Sequence, residues 1–286
     1  MSSKNKGAIF LFRIIPTSLL SRIFGWLTEI PLPGIILKPV IRWYSKKFNI
    51  IDEYVIPENG FRTFNDFFTR KLKEGSRAID KGPGAVISPV DSRIDSFGTI
   101  NDNTLLQAKG IPYSLEDLLQ DGNAAGYRNG SYITLYLSPA DYHRIHSPVS
   151  GKISGFTHIP GRLFTVQEYM VKGLGDLFTR NERITTYIET GFGDIAVCKI
   201  GAMNVGRISL AYSDTVSNRT LRSRKQVTYQ QNEMPGISAG DELAVFNLGS
   251  TIILLFQPGI VDFTPFTIGD YLRVGEKIGT LSAHRS

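Results

Sequence analysis

The sequence predicts an α+β chain, mainly β, with its helices gathered towards the N-terminus. Three observations carry this expectation. Apolar residues fall at helical spacing in two stretches before residue 50, and from about residue 85 short β-branched runs alternate with Gly and Pro. A hydrophobic content of 42% with 11% aromatics also suffices for a packed core. The chain therefore divides into a basic, amphipathic region at 1–60 and a β domain at 61–286.

The first helix is expected over Thr17–Glu29. Leu19, Leu20, Ile23, Phe24 and Leu27 share one side, Ser21, Arg22 and Thr28 the other, and Pro16 is placed to start it. A second is expected over Ile35–Phe48, with Ile36, Leu37, Val40, Ile41 and Tyr44 on one side and Lys38, Arg42 and Lys46 on another. Residues 1–50 hold eight Lys and Arg against Glu29 alone, which exceeds the whole chain's net charge of +6. The positive charge thus belongs to one end and calls for a polyanion. The density of aliphatic residues between these cations favours an anionic membrane surface over nucleic acid. Arg13 and Arg22 interrupt the apolar stretch and Pro16 divides it, so the expectation is helices lying flat rather than spanning. No small-residue cleavage site follows, so a secretory signal is not expected. Packing of the same stripes on the chain's own core or on a second copy is the alternative.

Further on, Arg62–Arg70 is expected to form a short helix with Phe64, Phe67 and Phe68 inward, and Ser114 to cap another at Leu115. Strands are expected at 85–87, 132–137, 185–188, 195–198, 207–210, 242–246 and 251–256. Cys198, the one cysteine, falls in an apolar run and should be buried. A gapless internal match pairs Ser88-Pro-Val at the head of 88–100 with Ser147-Pro-Val at the head of 147–159, and Gly240-Asp-Glu-Leu has a counterpart in Gly269-Asp-Tyr-Leu. Residues 269–281 resemble the closing strands of lipoyl-type barrel-sandwich hybrids, which implies a compact, twisted core of that kind.

Two features carry chemistry. His143 and His146 occur in Tyr142-His-Arg-Ile-His, a spacing that on a helical turn would place both imidazoles on one side. A surface pair, a capping role and a metal pair stay open, although neither His158 nor His284 is an obvious third ligand. The second feature is Leu248-Gly249-Ser250-Thr251, which interrupts two apolar strands. Gly permits a strained turn, and a hydroxyl beside an unhindered carbonyl can attack it once a base takes its proton; a hairpin turn is the plainer reading.

Taken together, Leu248-Gly249-Ser250-Thr251, Tyr142-His143-Arg144-Ile145-His146 with Pro148, and Pro89-Val90-Asp91 resemble the phosphatidylserine decarboxylases. So do Phe61–Arg70, Asn181-Glu-Arg and Gly201-Ala-Met-Asn-Val-Gly, so the resemblance runs from about residue 61 to the C-terminus. It implies that Ser250 attacks the Gly249 carbonyl and cuts the chain into 1–249 and 250–286. Ser250 then becomes a pyruvoyl group, which serves as covalent cofactor and forms a Schiff base with the amine of phosphatidylserine. No other cofactor and no metal are implied.

Asp91 and His146 match the residues that activate the serine, and His143 matches one implicated in the later step, as proton donor to carbon. The resemblance further implies that the two pieces stay together and dimerise, at the cytoplasmic side of the cell membrane and without nucleic acid. One departure is Ser92, where many members have Gly after the aspartate. A lipid-directed serine hydrolase and an uncut membrane-docked scaffold are the alternatives; the first lacks Gly-x-Ser-x-Gly.

Overall fold

The computed structural model describes residues 17–106, 111–166, 170, 173–174, 176–203, 207–218, 223–247 and 251–283. Four stretches singled out by sequence lie outside them: residues 1–16 with Arg13 and Pro16, residues 204–206, Leu248-Gly249-Ser250, and His284. Helices α1 (Thr17–Thr28) and α2 (Gly34–Lys47) form where the apolar spacing predicts. Among the described residues no helix is long and apolar enough to cross a membrane. Thr63 and Asp66 cap α3 (Phe64–Phe68) reciprocally, each side chain accepting from the other's backbone N–H. That cap orients Phe67 and Phe68 into the core, where Tyr44 of α2 packs edge-on against both rings.

The strands follow in order: β1 (Ala85–Ile87), β2 (Ser92–Thr99), and a hairpin of β3 (Thr104–Leu106) and β4 (Pro112–Ser114). Ser114 then caps α4 (Leu115–Leu119) by accepting from Asp117 N–H. Next come β5 (Ser131–Tyr136), β6 (Arg144–His146), β7 (Gly151–Ile159), α5 (Leu177–Arg180), β8 (Arg183–Thr190), β9 (Gly193–Ile200) and β10 (Arg207–Leu210). The chain closes with β11 (Lys225–Thr228), β12 (Gly236–Ile237), β13 (Glu242–Asn247), β14 (Thr251–Phe256), β15 (Val261–Phe263), β16 (Tyr271–Leu272) and β17 (Lys277–Leu281).

The main sheet is antiparallel with order β11-β7-β8-β9-β14-β5-β2-β16, and β12 also pairs with β7. Strand β14 lies in its middle, paired along all six residues with both β9 and β5. Each face contacts one hydrophobic cluster: Ile252, Leu254 and Phe256 on one side, Ile253 and Leu255 with the buried Cys198 on the other. Burial on both faces is why this strand reads as an unbroken apolar run rather than an alternating one. The core is mainly β as expected, but the expected barrel-like closure is corrected. Among the described residues the sheet does not close, because β11 and β12 form one edge and β16 the other. The smaller sheets β1-β17-β15 and β10-β13-β6 stand beside it.

The internal repeat has a physical counterpart. Ser88 Oγ donates to Val90 O and Ser147 Oγ to Val149 O, both at 2.7 Å, and the two Ser-Pro-Val turns exchange backbone bonds, Ile87 N to Pro148 O and His146 N to Pro89 O. The expected match of Gly240-Asp241 with Gly269-Asp270 has a physical counterpart: Gly269 N donates to Ile94 O and Ile94 N to Asp270 O, and Asp241 and Asp270 each accept from the backbone N–H three residues before, Ser238 and Thr267. Gly240 N donates to Ser147 O and Ser147 N to Asp241 O, as Gly275 N donates to Ser88 O and Ser88 N to Glu276 O. Gly240 (φ 89°), Gly269 (φ 101°) and Gly275 (φ 90°) share one left-handed backbone conformation. The approximate two-fold that relates Ser147 to Ser88 takes residue 240 to 275, and Gly269 belongs to a third turn of the same kind.

Candidate active site

Strand pairing determines where the two histidines lie. β6 pairs with β13 through Arg144–Val245, Ile145–Ala244 and His146–Glu242, and Phe246 N donates to His143 O at 2.9 Å. β13 ends at Asn247 and β14 begins at Thr251. Both histidines therefore flank the strand that leads into Gly249-Ser250. The helical turn considered for them is corrected: the segment is extended, so a spacing of three places them on opposite faces.

His143 is fully buried, its ring 4.1 Å from that of Phe68. Nδ1–H donates to Asp141 O at 2.7 Å, and because a carbonyl only accepts, this fixes the tautomer and leaves a lone pair on Nε2. Nε2 is buried with no hydrogen-bond partner among the described residues. Burial pushes the pKa of this imidazole down to about 3, opposed by the Asp141 carbonyl. His143 is thus a neutral base with an unused acceptor.

His146 is half-buried. Its Nδ1–H donates to Gly240 O at 2.6 Å, so the Tyr142 hydroxyl, 3.2 Å away and with its ring stacked on the imidazole, donates to Nε2. Burial lowers its pKa, while the Gly240 carbonyl and the charges of Glu242 and Asp91 act in the opposite direction.

Asp91 follows the first Ser-Pro-Val turn. Its Oδ1 accepts Val274 N–H at 2.8 Å, mirroring Ser150 Oγ, which accepts Ala239 N–H at 2.9 Å in the second repeat. The carboxylate also takes a two-point contact from Arg77, Nη2 to Oδ2 at 2.7 Å and Nε to Oδ1 at 3.3 Å, and Arg77 pairs in addition with Glu53. Burial works against the charge of Arg77, but its hydrogen bonds to Asp91 and Glu53 hold its pKa above the usual value. Asp91 and His146 therefore sit on adjoining turns, with the Asp91 oxygens bonded to Arg77 and Val274 and the His146 nitrogens to Gly240 and Tyr142. Ser92 begins β2 and is not among the residues at positive φ, so a serine in place of glycine there carries no left-handed strain.

Sequence reasoning missed Arg77 and Glu53, which no local pattern marks, since they act through partners distant in sequence. Arg70, the last residue of the Phe61–Arg70 stretch, is buried and donates to Phe68 O and Ala140 O. Asn181-Glu182-Arg183 carried a signal whose content is now visible. Asn181 bridges the backbone of Phe164 and Gly201, Glu182 accepts from His158 at 2.9 Å, and fully buried Arg183 donates to four carbonyls: Asp117, Leu118, Thr179 and Asn181.

Comparison with known proteins points to one family. Residues 64–280 match the family model described as phosphatidylserine decarboxylase. The chain is 40% identical over 275 residues to a phosphatidylserine decarboxylase proenzyme of Myxococcus xanthus (strain DK1622), covering 95% of this chain and 97% of that one. It is 36% identical to a protein of the same name from Brevibacillus brevis (96% and 97%), and 38% identical to one from Anaeromyxobacter sp. (95% and 97%).

Proposed function

This chain belongs to the phosphatidylserine decarboxylase family, which are carboxy-lyases, and we propose that it matures by cutting itself between Gly249 and Ser250 and then converts phosphatidylserine to phosphatidylethanolamine and CO₂ at a membrane surface. The observation that best supports a reactive centre at this bond is the orphaned, buried Nε2 of His143, on the segment paired with the strand that runs into it. A lone pair held away from water without a partner costs stability, and a chemical role accounts for its retention.

The residues around the bond suit a pyruvoyl group derived from Ser250. Such a group supplies an electrophilic carbonyl that engages the substrate amine and takes up the electron pair released with CO₂. His146, whose imidazole is neutral and held by Gly240 O, is assigned to take the Ser250 hydroxyl proton, with Asp91 as its electrostatic support; that role needs Nε2 to exchange Tyr142 for the serine. His143 is assigned to the substrate step, handling the proton at the carbon that loses CO₂. With Nδ1–H fixed on Asp141 O, it works through Nε2 alone.

Residues 250–286 would stay bound after a cut. β14 is clamped along its length by β9 and β5, and β15 and β17 pair within a sheet that includes β1. Membrane docking is assigned to residues 1–60. Among the described residues, thirteen of the sixteen exposed large hydrophobic side chains lie between Leu19 and Ile56, while the polar and small residues Thr17, Ser21, Gly25 and Thr28 of α1 are the buried ones. A helix that turns its small residues inward and Leu20, Ile23, Phe24 and Leu27 outward suits contact with acyl chains. CO₂ release from phosphatidylserine vesicles tests the activity. The full chain should release CO₂ and His143→Ala should lose at least a hundredfold in kcat; unchanged turnover in that variant would remove His143 from the mechanism.

A further inference from the structure

Beside α2 runs a groove of about 1200 Å³, larger than the roughly 300–1,000 Å³ of sites for compact ligands. Its wall is apolar where Leu37, Ile41, Ile50, Ile51, Ile56 and Phe61 line it, and its remaining lining includes Lys38, Arg42, Lys46 and Arg62. No Asp or Glu lines it, and none of these four cations makes an ion pair among the described residues. Lys38, Arg42 and Lys46 recur every four residues, so they form one row along the helix above the apolar floor. The hydroxyl of Ser45, also in the wall, is buried with no hydrogen-bond partner among the described residues.

We propose that this groove seats one anionic phospholipid of the surrounding bilayer, its phosphate on the Lys38–Arg42–Lys46 row and an acyl chain along Ile41, Ile50 and Ile51, as a site distinct from the cavity that holds Asp91 and Tyr142. The charge selects this occupant. The four cations are exposed, so an apolar ligand alone would leave their row without a counter-charge, and a zwitterionic headgroup would bring an ammonium for which the lining offers no carboxylate. Residues 1–16 are not complementary, since they carry Lys4, Lys6 and Arg13 and no acid. A second copy of the chain would set the same cations against each other across any two-fold axis through the groove. The site opens where the lipid would arrive, because Ile51 and Ile56, which line it with α2, are exposed. It also borders a smaller cavity containing Asp91 and Tyr142, the two sharing Asn49, Ile50, Ile51 and Tyr54.

The proposal rests on the membrane-docking reading above, and its test is separable from it. The full chain in detergent micelles, incubated with dioleoylphosphatidylglycerol or dioleoylphosphatidylcholine, is examined by native mass spectrometry. One phosphatidylglycerol should be retained per chain, at least tenfold in preference to phosphatidylcholine. At about fivefold per cation, Arg42→Gln with Lys46→Gln should weaken retention about 25-fold. Ile41→Trp, which fills the groove without changing charge, should weaken it as well. Equal retention of the two lipids, retention in the double variant within twofold of the parent, or a dimer whose formation replaces lipid retention would overturn the site. Decarboxylation of micellar phosphatidylserine by the same samples reports on the enzyme reading separately: turnover without a retained lipid removes only the groove, and a retained lipid without turnover removes only the activity.

Discussion

Replacing Ile23, Phe24 and Leu27 with Ser should release the protein from membranes while leaving its fold almost unchanged. These side chains are 47%, 39% and 49% exposed, so about half of each remains to be buried in acyl chains. Full burial of such a side chain is worth about 1.5–3 kcal/mol, which leaves about 1 kcal/mol apiece and about 3 kcal/mol for the three. The partition coefficient onto anionic vesicles should then fall on the order of a hundredfold in a sedimentation assay. Folding stability should change little, since surface substitutions usually stay within about 0.5 kcal/mol each. The opposite face should behave inversely. Ser21 is fully buried, and Ser21→Leu overpacks the docking surface of α1, costing about 1–3 kcal/mol in stability without adding membrane affinity. Vesicle affinity of the triple variant within threefold of the parent, or a melting temperature lowered by ten degrees, would refute the assignment of the outward face.

Two further outcomes follow from the buried polar groups. The folded pKa of His143, about 3, lies below its unfolded value near 6.5, so below pH 6.5 the unfolded chain binds a proton that the folded chain refuses. Stability from this group is complete above pH 6.5 and is lost as pH falls towards about 3, amounting to about 2 kcal/mol at pH 5. His143→Asn should flatten the difference between urea midpoints at pH 7.5 and pH 5, and an identical pH slope in the variant would contradict the burial argument. Asn181→Ala removes one acceptor and two donors that serve the backbone of Phe164 and Gly201. It should cost about 3 kcal/mol in chemical unfolding, and a loss under 1 kcal/mol would show that the bridge is dispensable.

Local patterns gave the elements away; long-range partners did not. α1, α2 and the run Thr251–Phe256 were legible because helical spacing and unbroken apolar composition are properties of neighbours in sequence. Which face of α1 turns inward was not legible as such, since it depends on a docking surface that receives Thr17 and Ser21, with Leu163 N donating to the Thr17 hydroxyl. Spacing misled at Tyr142–His146, where pairing with β13 overrides any helical turn. The repeat was visible in Ser88-Pro-Val and Ser147-Pro-Val and in Gly240-Asp241 and Gly269-Asp270, which share their backbone bonds and Asp caps. The third copy of that turn, Gly275-Glu276, was not legible, because glutamate replaces aspartate in it. Arg77 had no signature, because its meaning lies in reaching Asp91 and Glu53 together.

The most direct test of the account is the mass of the purified, active protein. It predicts two polypeptides, 1–249 and 250–286, the shorter beginning with a carbonyl in place of the Ser250 amine and hydroxyl, and a single uncut chain for Ser250→Ala. Full decarboxylase activity in an uncut chain of 286 residues with an unmodified Ser250 would contradict it.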